Sequence, residues 1–237
     1  MRPFLAFCGL SLACLPAVAQ AEPGAIFREL DLVTRMRVVC SNEHYGRIDD
    51  LIVAVPEGRI KAAVVTFVFD GGFRRVRVPF EELTYNANAN WLDLKECREG
   101  EHEHHAFDAK KVGLQRNDDG TCTGTVLAST LKQAPFQLTD GVATVHGVEL
   151  DLRSGRVGFL DVAIGTGRAG DRELHPAPWS VFGWQAKGAK DAKPKLAITM
   201  AHTKAFLAAT PNLIEIIIPD PLRRARVYKA FNVAAPN

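Results

Sequence analysis

The chain repeats itself, and this constrains its fold more than any other feature. From residue 28 to about 95, short runs rich in Val, Ile and Phe are separated by turn residues. Ile48 to Val55 reads as a strand followed by the turn Pro56-Glu57-Gly58. Ile60 to Phe69 reads as the next strand and ends at Asp70-Gly71-Gly72. Arg74 to Val78 then alternates charged and apolar residues before Pro79-Phe80. The same order returns later. Val145 to Leu152 alternates, with Val148, Leu150 and Leu152 facing one way and Glu149, Asp151 and Arg153 the other. Ser154-Gly155 turns the chain, Val157 to Ile164 forms the partner strand, and Pro178-Trp179 closes the unit. Gly58-Arg59-Ile60 matches Gly155-Arg156-Val157 at an offset of 97, and Pro79-Phe80 matches Pro178-Trp179 at an offset of 99. The pattern is a tandem duplication of a small β unit. His202 to Ala209 reads as a short helix, with Thr199 as its cap and Pro211 after its end.

Further residues carry a family resemblance. Ala128-Ser129-Thr130-Leu131 and the run Val148 to Val157 are similar to the PRC-barrel domain. So are Gly170-Asp171-Arg172-Glu173-Leu174, Pro178-Trp179-Ser180 and Phe206 to Pro211. The resemblance covers about 126–215. A weaker copy over about 28–96 rests on Gly46 to Leu51, Gly58-Arg59-Ile60 and Val78-Pro79-Phe80. The second copy departs from the family's Gly-x-Ile-x-Asp, reading Ala143-Thr144-Val145-His146-Gly147. The resemblance implies a mainly β chain of two PRC-barrel-like units in tandem with a short helix near the C-terminus. Each unit would be a compact barrel of about six strands that acts by binding other proteins.

The N-terminus gives an address. Arg2, the apolar run Phe4 to Val18 and the small residues of Ala19-Gln20-Ala21 form a signal peptide, 1–21, with cleavage before Glu22. The run is too short, and broken by Pro16, for a transmembrane anchor. The expected organisation is therefore signal peptide 1–21, first unit 22–100, polar linker 101–125, second unit 126–215 and basic tail 216–237. The mature protein is expected in the periplasm or secreted. There Cys97 and Cys122 can pair, closing a loop worth roughly 3 kcal/mol by chain entropy. Three buried thiols, Cys40 included, remain the alternative.

A formal net charge of +2, from 29 basic and 27 acidic residues, argues against a nucleic-acid binder. No GxSxG, HExxH or P-loop occurs, so no catalytic residues and no enzyme activity are expected. Gly165 to Gly170 fits GxGxxG, but Pro176 and Pro178 forbid the helix a dinucleotide needs, so it reads as a turn. His146 and His175 read as hydrogen-bonded structural histidines. Asp49 and Asp50 point to opposite faces, a poor acid–base pair.

What remains is binding. Trp184, with Phe182, is the candidate anchor for a protein partner, while Trp179 fills the core. His102, His104 and His105 offer an alternative, since His102 and His104 share one face of an extended segment and suit zinc or copper. The apolar run Ile214 to Ile218 adds a strand or docks on the barrel. The tail's Arg223, Arg224, Arg226 and Lys229 form a solvated face or a weak contact with an acidic partner or membrane surface. The expectation is a non-catalytic exported binding or scaffold protein without cofactor; the alternative is a periplasmic metal-binding protein.

Overall fold

The computed structural model describes residues 26–40, 44–69, 72–95, 106–164, 173–188, 194–212 and 221–234. The chain is mainly β, in two multi-stranded sheets. The first half supplies β1 (Phe27–Glu29), β2 (Arg37–Cys40), β3 (His44–Val55), β4 (Ile60–Phe69), β5 (Gly72–Pro79), β6 (Leu83–Asn86) and β7 (Trp91–Leu94). A connecting strand β8 (Leu114–Arg116) follows. The second half supplies β9 (Cys122–Leu127), β10 (Pro135–Leu138), β11 (Gly141–Asp151), β12 (Arg156–Ile164), β13 (Glu173–Pro178), β14 (Phe182–Lys187) and β15 (Lys195–Met200). Three short helices complete it: α1 (Leu30–Val33), α2 (Lys204–Ala208) and α3 (Pro221–Ala230).

The repeat seen in the sequence is a repeat of topology. One sheet runs β5-β4-β3-β2-β7-β6 and the other β13-β12-β11-β10-β15-β14. In each, the fourth pair along the path is parallel, β2 with β7 and β10 with β15, and the others are antiparallel. Even the irregularities match. Bulges fall between Ile48/Asp50 and Ile52/Val53 in one long strand, and between Val145/Gly147 and Glu149/Leu150 in the other. These are the same positions at the offset of 97, and a bulge re-aims the side chains around it. Each path is open, ending at β5 and β6 or at β13 and β14, so the pairing of described strands closes neither expected barrel.

The two repeats exchange strands. β1 precedes the first repeat but pairs with β11 of the second, Glu29 opposite Glu149. β9 precedes the second repeat but pairs with β3 of the first, Leu127 opposite Ile52. The hairpin turns also meet. Ile60 N–H donates to the Gly155 carbonyl and Val157 N–H to that of Gly58, both at 2.8 Å. Across this junction Trp179 lies over Gly58 and Phe80 over Gly155. Both glycines adopt positive φ, +69° and +65°, which a side chain resists, and each also leaves room for the ring above it. One hydrophobic cluster accordingly contains residues of both repeats, from Phe27 and Val53 to Leu150 and Trp184.

Asp49 and Asp50 do diverge. Asp49 accepts from Thr66 and pairs with Arg75 at 2.9 Å on the outside. Asp50 is buried and accepts from the backbone N–H groups of Leu51 and Ser129 and from the Ser129 hydroxyl. This ties β3 to the turn that opens the second repeat. Asp50→Ala should cost about 1–3 kcal/mol in denaturant unfolding, because donors lose their buried acceptor.

The short helix is present as α2, but its cap is Thr203, whose hydroxyl accepts from Phe206 N–H at 3.0 Å. Thr199 instead lies in β15, paired with Gly183. The basic tail is a helix rather than a wholly solvated face: α3 turns Arg224, Val227 and Tyr228 inward and leaves Arg226 and Lys229 exposed. No helix among the described residues is long and apolar enough to cross a membrane. The signal peptide, Cys97, the Gly165–Gly170 turn and Ile214 to Ile218 lie outside the described residues.

Candidate functional site

The sequence-derived anchors are buried. Trp184 is 5% exposed, stacked on Trp179 with ring centroids 4.1 Å apart, and Phe182 is 6% exposed, edge-on to Phe136. Both rings fill the core, so they present almost no surface to a partner. His175 is a buried structural histidine whose Nδ1 bonds the Thr210 carbonyl at 3.1 Å, holding β13 to the end of α2. His146 differs from expectation: it sits at a bulge of β11 and is exposed. Cys122 is a buried thiol, and burial pushes its pKa up. His102, His104 and His105 lie outside the described residues; among the described ones no group of three His, Cys, Asp or Glu is placed to hold a metal ion.

Two other places carry chemistry. The first is a buried acid pair. β12 is apolar along nearly its whole length because both its faces are covered, and Asp161 is its one buried charge-bearing residue. Asp161 is 3% exposed, as is Glu149 on the neighbouring strand. The Glu149 carboxyl hydrogen-bonds Asp161, and Glu29 on β1 adds a third carboxylate nearby. Gly147 faces Asp161 in the β-ladder, and a Cβ there would collide with the Asp161 carboxylate. Asp161 Oδ1 is buried and accepts no hydrogen bond.

α3 closes this site. The Arg224 guanidinium, on a residue 7% exposed, lies 4.1 Å over the Phe27 ring, and Tyr228 packs on Phe159 at 4.9 Å. Burial first, and then the charges of Asp161 and Glu29, hold Glu149 well above the usual carboxylate range, against the smaller opposing effect of Arg224. Burial, with Glu29 after it, pushes Asp161 up to about 7, while the hydrogen bond from Glu149 pulls it back. Glu149 is thus the proton holder of the pair and donates to Asp161.

The alternation of Val145 to Leu152 placed Glu149 and Asp151 on the second face of a strand, which alone suggests exposure. The signal of burial was available in the repeat itself. At the offset of 97, Glu149 and Asp161 fall on Ile52 and Val64, and Glu29 occupies the pairing position of Leu127. Ile52, Val64 and Leu127 pack together as an apolar patch on the first sheet. One sheet carries three apolar residues where the other carries three acids.

The second place is the outer end of the β4–β5 hairpin. Phe73 is 81% exposed and stands opposite Val68, 46% exposed. They edge a groove of about 470 Å³ lined also by Thr34, Arg47, Ile48 and Thr66. Arg47 lines it and is exposed, and exposed Arg75 pairs with Asp49, which also lines it. No protein-family model matches the chain, and no curated protein matches it.

Proposed function

We propose that the protein is an exported, non-catalytic binding or scaffold protein built on two PRC-barrel-like repeats. Export rests on the leader pattern of residues 1–21, and the repeat reading on the shared strand order. The observation that carries the binding role is Phe73: a large aromatic ring held out in solvent beside an apolar neighbour and a groove. Aromatic residues and arginine are enriched at protein interfaces, and both are present here. An exposed apolar pair on a strand at the end of a sheet is otherwise a liability for aggregation.

The test is photo-cross-linking in cells of the full chain, with a photoreactive phenylalanine analogue at position 73 and, as control, at exposed Arg226. A discrete heterologous adduct from position 73, absent from position 226 and lost when Val68→Asp is added, is the expected result. No adduct, or the same adducts from both positions, overturns the reading.

A further inference from the structure

The acid pair has no part in the proposed docking surface and no counterpart in the first repeat. The fold does not need it, because Ile52 and Val64 form the same bulged hairpin without a charge. In the second repeat the equivalent face is covered by α3, and the acids lie under that helix. We propose that α3 is seated by a proton-controlled latch: the C-terminal helix stays docked while the Glu149–Asp161 pair is protonated, and its seat weakens as the pair ionises.

The charges under the helix support this. Glu149 on β11 interacts with both Arg224 and Tyr228 on α3, Asp151 on β11 with Tyr228, and Asp161 on β12 and the exposed Glu29 on β1 lie beside Glu149. Asp151 is already committed, accepting from the N–H groups of Ile26 and Arg153 and from the Ser154 hydroxyl. With the pair protonated, neither acid adds a charge under the helix. With the pair ionised, two buried negative charges lie side by side, that of Glu149 opposed by Arg224, and the Asp161 oxygen that has no donor among the described residues becomes part of an anion. Lifting α3 opens the pair to water, which solvates these charges.

The sign follows from the direction of both shifts. Docking raises the pair's affinity for protons, so docking is favoured most below the ordinary carboxylate range. This advantage is lost as pH rises from near 3.8, the ordinary value for Asp161, to about 7. His202 acts in the opposite sense. Its ring packs on Phe206 and on Phe231 just past α3, and burial lowers its pKa, so protonating it weakens the seat toward acid. Tyr228 is pushed further up, mainly by burial, and stays neutral throughout.

Hydrogen exchange of the α3 amides in the full chain tests the latch, with protection factors compared at about pH 5 and about pH 8. Protection over residues 222–230 should fall at least tenfold toward pH 8, while β3 and β4 hold theirs. E149Q/D161N should remove that difference, and so should E149I/D161V, which installs the first repeat's apolar pair and stands in if the amide variant fails to fold. Equal protection of α3 at both pH values overturns the latch. So does a fall that persists in whichever variant folds, or one shared equally by β3 and β4.

Discussion

Cut into residues 22–100 and 101–237, the protein should yield two fragments that are each unfolded alone and that fold when mixed. The first fragment retains β3 but loses β9, the strand that pairs with it from Val55 back to Ile52. The second loses β1, and with it Phe27. That ring packs tilted against Phe159 with centroids 5.6 Å apart, fills the space above Gly158 and lies under the Arg224 guanidinium. Each fragment therefore exposes a long edge and an opened core, and losing a buried Phe alone removes about 3–5 kcal/mol, much of a small domain's total stability. Circular dichroism of each fragment should show no cooperative melt. An equimolar mixture should give one melt and elute as a 1:1 complex. If 101–237 melts cooperatively by itself, the strand exchange is dispensable and the prediction fails.

The second large effect lies where the two hairpin turns meet. A Cβ on Gly58 would sit 2.7 Å from the Trp179 ring, and the glycine's φ of +69° is unfavourable for any side chain. Gly58→Ala should cost about 1–2 kcal/mol for the left-handed backbone and about 1–3 kcal/mol for the overlap. Trp179→Ala should cost about 3–5 kcal/mol through the cavity it leaves, and it also removes the indole N–H donated to the Pro56 carbonyl. The double variant should be less unstable than the sum, because the overlap disappears with the ring and only the backbone cost remains. Strict additivity in a denaturant-based cycle would show that Trp179 does not press on Gly58. The reciprocal pair, Gly155 and Phe80, should behave alike, with a Cβ 2.9 Å from the ring.

Much of this fold was legible in the residues. Ile60 to Phe69 is β4 to the residue, and the offset of 97 locates both long hairpins and their glycine turns. Local pattern set these elements because alternating apolar side chains and Gly turns act over a few residues. What pattern did not reveal is which sheet a short strand joins. Phe27–Glu29 and Cys122–Leu127 precede their own repeats, and nothing local distinguishes pairing with the near hairpin from pairing with the far one.

Burial was the other gap. Trp184 beside Gly183 reads as a surface pair, yet the glycine is there because Thr199 crowds it, and the ring lies inward on Trp179. Glu149 reads as part of a polar face because charge normally marks solvent, and Asp161 is a lone charge inside the apolar run Val157 to Ile164. They are covered because α3, far along the chain, returns to the sheet. Only comparison of one repeat with the other exposes them, through the substitution of Ile52 and Val64 by acids.

The exchange of β1 and β9 also bears on how such a chain diversifies. Two identical copies of a unit of this design would complete their sheets by trading strands in a symmetric dimer. In a symmetric dimer every substitution appears twice, and a buried acid pair placed in one sheet would burden both. Joining the copies in one polypeptide lifts that constraint: one sheet can keep Ile52, Val64 and Leu127 as ballast while the other carries Glu149, Asp161 and Glu29. The asymmetry that gives this molecule its titratable helix seat is available only to the fused form.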